Sequence, residues 1–130
     1  VAIPRYDFHM HTTYLGCANE TMTIPAIVAE CSRLGLKTLA ITDHLNTRDR
    51  LPLHENIRDD ILALETEIPV YFGVELNFQG RDGDFAYSAQ VRDEMGFQFA
   101  IGGIHGTYLD TYDLEALIRI QHRHHLRTCE

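Results

Sequence analysis

Short apolar runs alternate along this chain with stretches in which apolar residues recur every three or four positions. Residues 5–9 form a brief strand-like run entered after Pro4. Ile24, Ile27, Val28, Cys31 and Leu34 share one helical face. Thr23 is placed to cap that helix, Pro25 suits its first turn, and Gly35 ends it. The run TLAIT at 38–42 predicts a buried strand, and residues 46–52 a polar loop. A helix is expected over 53–67, with Ile57, Ile61, Leu62 and Leu64 inward, stopped by Pro69. VYFGVEL at 70–76 reads as the next strand, and QGRDGD at 79–84 as a turn. Residues 85–95 read as helical and FQFAI at 97–101 as a fourth strand. Asp113 caps a last helix from 114 to about 127. Four strand–helix units in series imply a parallel α/β sheet, open or closed. In such sheets ligands bind at the carboxyl ends of the strands, so the residues just after each strand carry the chemistry.

Composition narrows this picture. The 130 residues suit a single domain, with 45% hydrophobic and 23% charged residues. Lys plus Arg is 11 against 19 Asp plus Glu, a net charge of −8. Such a chain does not attract a polyanion over its general surface, which counts against nucleic acid as a partner. A phosphate ligand would need local positive charge, which bound metal ions supply. Three cysteines, Cys17, Cys31 and Cys129, point to a reduced, cytoplasmic setting rather than a disulfide framework. No apolar run approaches the ~18 residues of a membrane span, and with no basic segment followed by an apolar stretch at the start, no signal peptide is expected.

The strand ends are rich in metal-ligand types. His9 and His11, two apart on an extended chain, point the same way and suit one ion from one side. The second strand ends in Thr42-Asp43-His44, the third in Gly73-Val74-Glu75, and the fourth runs into Gly102-Gly103-Ile104-His105. One such residue after a strand is commonly a packing or capping group. Four in corresponding places predict a shared divalent-metal site. Glu75 lies on an otherwise apolar strand, where an unpaired carboxylate is costly and a metal would neutralise it.

These motifs, His9-x-His11 followed by Thr12, Thr42-Asp43-His44, Gly73-x-Glu75 and Gly103-Ile104-His105, resemble those of the PHP (polymerase and histidinol phosphatase) domain family, in the family's order, from about residue 6 to residue 107. The resemblance implies a distorted (β/α)7-type barrel, of which this chain holds the first four or so βα units. It implies up to three divalent ions (Zn, Mn or Fe) at the strand ends, and hydrolysis of phosphate esters. His9 and His11 would bind the first metal, Glu75 would bridge the first and second, His105 would bind the second and His44 the third. Where relatives often carry a further third-metal histidine, this sequence has Cys17; a thiolate is a good zinc ligand, and a small residue in the Gly16-Cys17-Ala18 turn is the alternative.

The family's later histidine and its C-terminal Asp-x-His have no counterpart before Glu130, so the chain is expected to be a single PHP domain truncated at its C-terminus. His122, His124 and His125, among Arg119, Arg123 and Arg127, read instead as a solvated basic helix end. The expected activity is attack of metal-activated hydroxide on a small-molecule phosphate monoester, with histidinol phosphate the family's best-known substrate. Asp43 is the candidate to assist the leaving group, and Arg48 and Arg81, in loops after strands, are candidate phosphate clamps. A nuclease or nucleotide phosphoesterase, and a degenerate metal-binding domain with a structural or regulatory role, are the competing readings.

Overall fold

The computed structural model describes residues 5–81, 83–106, 109 and 113–130; Pro4, Asp82 and Thr107 lie outside the described residues. The elements run β1 (Tyr6–Met10), α1 (Ile24–Arg33), β2 (Thr38–Ile41), β3 (His44–Leu45), α2 (Leu51–Leu62), β4 (Val70–Asn77), α3 (Ala89–Met95), β5 (Phe99–Gly103) and α4 (Leu114–Cys129), with short 3-10 turns at Thr13–Leu15 and Arg48–Arg50. Three helices start where a side chain supplies the first missing acceptor. Thr23 accepts from the Ala26 amide, Ser88 from Val91 and Asp113 from Ala116.

All strand pairings are parallel. β1 pairs β2, β2 pairs β4, and β5 lies along the far edge of β4. β3 continues β2 along the same edge of β4: β2 matches Val70–Phe72, β3 matches Glu75–Leu76, and the Glu75 amide donates to the Asp43 carbonyl between them. The sheet therefore has four rows.

It is strongly curled. In a flat sheet the first and fourth rows would stand about 14 Å apart. Phe8 of β1 and Phe99 of β5 instead bring their ring centroids to 5.3 Å, with Tyr71 edge-on to Phe8 at 6.2 Å. Gly73, between these rings and the strand ends, leaves room for the curl: a Cβ there would meet Thr42 Cγ2 at 2.8 Å and the Phe99 carbonyl at 3.0 Å. The result is an open half-barrel with aromatic rings inside and, among the described residues, four α-helices. Among the described residues no strand pairs with the outer edges of β1 or β5. The main core lies on the convex, helix-covered side, where Leu39, Ile41, Phe72 and Val74 meet Ile27 and Val28 of α1 and Ile57 of α2.

Several sequence expectations shift. α2 begins at Leu51, because Pro52 fits its first turn, and ends at Leu62 rather than at 67. Leu62 is consequently 75% exposed instead of inward, while Leu64, beyond the helix, packs on the core. The helix expected over 85–95 is confined to Ala89–Met95, since Phe85 is held by a β-bridge to Phe78. The fourth strand starts two residues late: Phe97 turns to the helix side and stacks on Phe72 at 4.6 Å. His122 and His125 are exposed as expected. His124 is fully buried and stacked on Phe78 at 4.0 Å, because the inward face of α4 demands a packing ring there. Among the described residues no helix is long and apolar enough to cross a membrane.

Candidate metal centre

The register of the sheet decides which side chains meet. Tyr71, Gly73, Glu75 and Asn77 alternate onto the concave face of β4. A register shift in β1 between Asp7 and Met10 brings its end over β2. Beyond it His9 and His11 reach the same carboxylate. His9 Nε2 and His11 Nε2 each lie 3.1 Å from Glu75 Oε2, and His44 Nδ1 lies 3.2 Å from that oxygen. His105 Nε2 sits 2.7 Å from the other oxygen, Oε1. Four histidines, from the end of β1, from β3 and from the loop after β5, thus surround one buried glutamate. Glu75 is 3% exposed at the base, His11 and His44 form partly buried walls, and His9 and His105 form an open rim.

Burial holds His11 and His44 below the ordinary imidazole range, with neighbouring imidazoles adding to the effect and Glu75 opposing it. These rings are therefore neutral at physiological pH, the state in which imidazole ligates a metal. Burial alone would raise Glu75, but hydrogen bonds from His105 and His9 and the field of His44 outweigh it and keep the carboxylate ionised. Ligand atoms about 2.0–2.2 Å from one ion at tetrahedral angles stand roughly 3.3 Å from each other. The three spacings to Oε2 lie close to that figure, and His105 stands nearer, at hydrogen-bond distance from Oε1. With His9, His11 and His44 on Oε2 and His105 on Oε1, the carboxylate is set to face two positions.

A third group of donors adjoins the first. Thr12 caps the 3-10 turn after β1, and Gly16, at φ +74°, reverses the chain where a side chain would be strained. Cys17 then lies with Sγ 3.6 Å from His11 Nδ1, and His11, Cys17 and His44 form a donor triplet. The Cys17 thiol is pushed up by partial burial and by the negative charge of Asp43 and Glu75, so it needs a cation to ionise readily. Among the described residues His9–His11–Glu75 and His44–Glu75–His105 are the other two triplets.

The family model of the PHP domain matches residues 7–128. The chain belongs to the PHP domain family. Its family extends beyond the histidinol phosphatases, so membership gives the site its kind and not its substrate.

Within this PHP domain the remaining residues singled out from sequence fall in different places. Asp43 is fully buried, and both its carboxylate oxygens accept from the Thr12 amide, at 3.0 and 3.1 Å. It ties the chain after His11 to the row that carries His44. Arg48 lies on the exposed 3-10 turn and Arg81 in the exposed turn after β4. Beside His105 opens a cavity of about 520 Å³, lined by Asn46, Thr47, Asn77, Phe78, Gln79 and Gly106. Asn77 Nδ2 lies 2.8 Å from His44 Nδ1, and Gln79 donates to the Asn46 carbonyl. Sequence reasoning passed over Asn77, although it stands two residues beyond Glu75 on the same strand face.

Desolvation raises the Asp43 carboxyl from 3.8 to about 6, against the two Thr12 hydrogen bonds. Between those values the folded state holds a proton that the unfolded state has lost. Stability of the metal-free protein should therefore fall as pH rises through that window, by on the order of 3 kcal/mol, and level off above it. Asp43→Asn should flatten this slope. Urea unfolding of both proteins from pH 4 to 7 checks the point, and identical slopes would count against it.

Proposed function

We propose that this PHP domain is a metal-dependent phosphoesterase acting on a phosphate monoester of a small molecule, in the manner of the family's histidinol phosphatases. The observation that carries the reading is the convergence of His9, His11, His44 and His105 on the two oxygens of Glu75. His9 and His11 would hold one divalent ion and His105 a second, with Glu75 shared between them. His44 would hold a third, with Cys17 as its thiolate partner. Zinc, manganese and iron all suit this mixture of imidazole and carboxylate.

Bound ions would supply an activated water and offset charge developing on the phosphate. The protein's part is to fix the donors and shape the approach. Asp43 acts through its grip on Thr12, which keeps His11 in place, rather than at the reacting atoms. The leaving alcohol occupies the cavity beside His105, where Asn46, Thr47, Asn77 and Gln79 offer hydrogen bonds. Arg48 and Arg81 approach the phosphate from the flanking turns. A net charge of −8 favours a small substrate over a nucleic-acid chain.

Hydrolysis of p-nitrophenyl phosphate and histidinol phosphate should require added Mn²⁺ or Zn²⁺, exceed cleavage of single-stranded DNA, and vanish in His9→Ala. Full activity in that variant, or activity indifferent to a chelator, would sink the proposal.

A further inference from the structure

His44 is the one site histidine whose own strand is only two residues long. β3 is paired with β4 alone among the described residues. Successive carbonyls of an extended segment face opposite edges. The Asp43 carbonyl accepts from the Glu75 amide on the β4 side, so the His44 carbonyl faces the other way, where β1 has already ended at Met10. A buried carbonyl without a donor is costly. The donor comes from a side chain of α2: His54 Nε2 lies 3.1 Å from the His44 carbonyl oxygen.

His54 is fully buried, edge-on to Phe97 at 5.6 Å and 81°. A carbonyl can only accept, so Nε2 carries the proton. The other nitrogen, Nδ1, is buried without a partner among the described residues. A ring in this setting has one useful form, the neutral tautomer protonated at Nε2. Its place on α2 is fixed, since His54, Ile57 and Ile61 share one helical face against the core.

We propose that His54 is a positioning residue for the metal centre: it holds the His44 backbone so that the His44 ring meets Glu75. The inference rests on the metal-site reading above and adds to it a residue in contact with neither ion nor substrate. His54 replaces, for two residues of strand, the neighbouring strand that would otherwise pin the backbone. Outer groups that orient ligands commonly change metal affinity by about tenfold to a hundredfold when removed.

The test compares His54→Leu, which fills the space without a donor, with His54→Gln, whose amide nitrogen reaches about as far as Nε2. Zinc affinity is measured by chelator competition and stability by thermal unfolding of the metal-free proteins. His54→Leu should lose tenfold or more in affinity, beyond what its loss of metal-free stability accounts for, and His54→Gln should recover most of the affinity. Wild-type affinity in His54→Leu overturns the inference, as do equal affinity losses in both variants that track their stability losses. Should His54→Leu fail to fold, nitrogen-15 spectra of the wild-type imidazoles decide instead. A slowly exchanging ring protonated at Nε2 supports the inference, and a ring protonated at Nδ1 or exchanging freely overturns it. Zinc binding absent from the wild type would sink the metal-site reading itself, whereas wild-type binding unmoved in His54→Leu sinks only the role of His54.

Discussion

Glu75→Gln should lower phosphoesterase activity by roughly a thousandfold or more, equivalent to about 4 kcal/mol of lost transition-state stabilisation. The substitution keeps the shape of the side chain and removes its charge. Four histidines approach the two oxygens of Glu75, so one change disturbs two of the three donor triplets together. The third triplet, His11, Cys17 and His44, does not include Glu75. Loading with Co²⁺ separates the two effects. Wild type should take up several ions, Glu75→Gln no more than one, and the remaining ion should show thiolate-to-cobalt absorption that disappears in Cys17→Ser. The metal-free variant should be somewhat less stable than wild type at neutral pH, because the histidine contacts that keep the carboxylate ionised outweigh the cost of burying it. Undiminished activity in Glu75→Gln would show that the carboxylate is not central to the chemistry.

Gly103→Ala should give the second large effect, from a single methyl group. A Cβ on Gly103 would stand 2.3 Å from Glu75 Oε1 and 2.6 Å from His105 Nε2, well inside van der Waals contact. Both neighbours are donor atoms of one proposed ion, and relieving the clash separates them. Metal affinity should drop at least tenfold while the fold persists, since the displaced atoms are side-chain ends rather than backbone. Gly73→Ala supplies the contrast. Its Cβ would press on the Phe99 and Ile41 carbonyls as well as Thr42, so strain falls on the sheet and thermal stability should fall instead. Circular dichroism melts beside zinc titrations distinguish the two outcomes. A wild-type zinc isotherm for Gly103→Ala would show that the rim adjusts freely.

The strand ends were legible because ligand residues repeated at one structural place. His9-x-His11 obeys the two-residue alternation of a strand, and Glu75 was conspicuous on an apolar run. α1 was equally plain, with Thr23, Pro25 and Gly35 marking its ends. Where the reading slipped, a local feature gave way to a tertiary one. The helical pattern over 85–95 yielded to the pairing of Phe85 with Phe78. The histidine cluster of α4 looked uniformly polar, yet packing selected one ring, His124, for the interior. His54 resembled any polar residue in an amphipathic helix, although its spacing to Ile57 and Ile61 placed it on the buried face. Its target is a backbone carbonyl, which leaves no trace in side-chain chemistry. The curl that joins Phe8 to Phe99 was expected only through the family resemblance; the residue pattern left the sheet open or closed, although Gly73 gives the curl its room.

The distance along the chain between the partners at this site bears on how the protein acquires its shape. His9 and Glu75 are 66 residues apart, and Glu75 and His105 another 30. Parallel rows joined through helices form only after long loops have closed, which makes them slow steps. No short stretch of the chain brings all the donors together, so the centre as a whole is complete only when β1, β3, β4 and the end of β5 have met. Metal bound there stabilises the assembled sheet over every partly paired state. The ions of this centre would thus act as the latch on folding, and their supply would govern how much newly made chain reaches and keeps its native form.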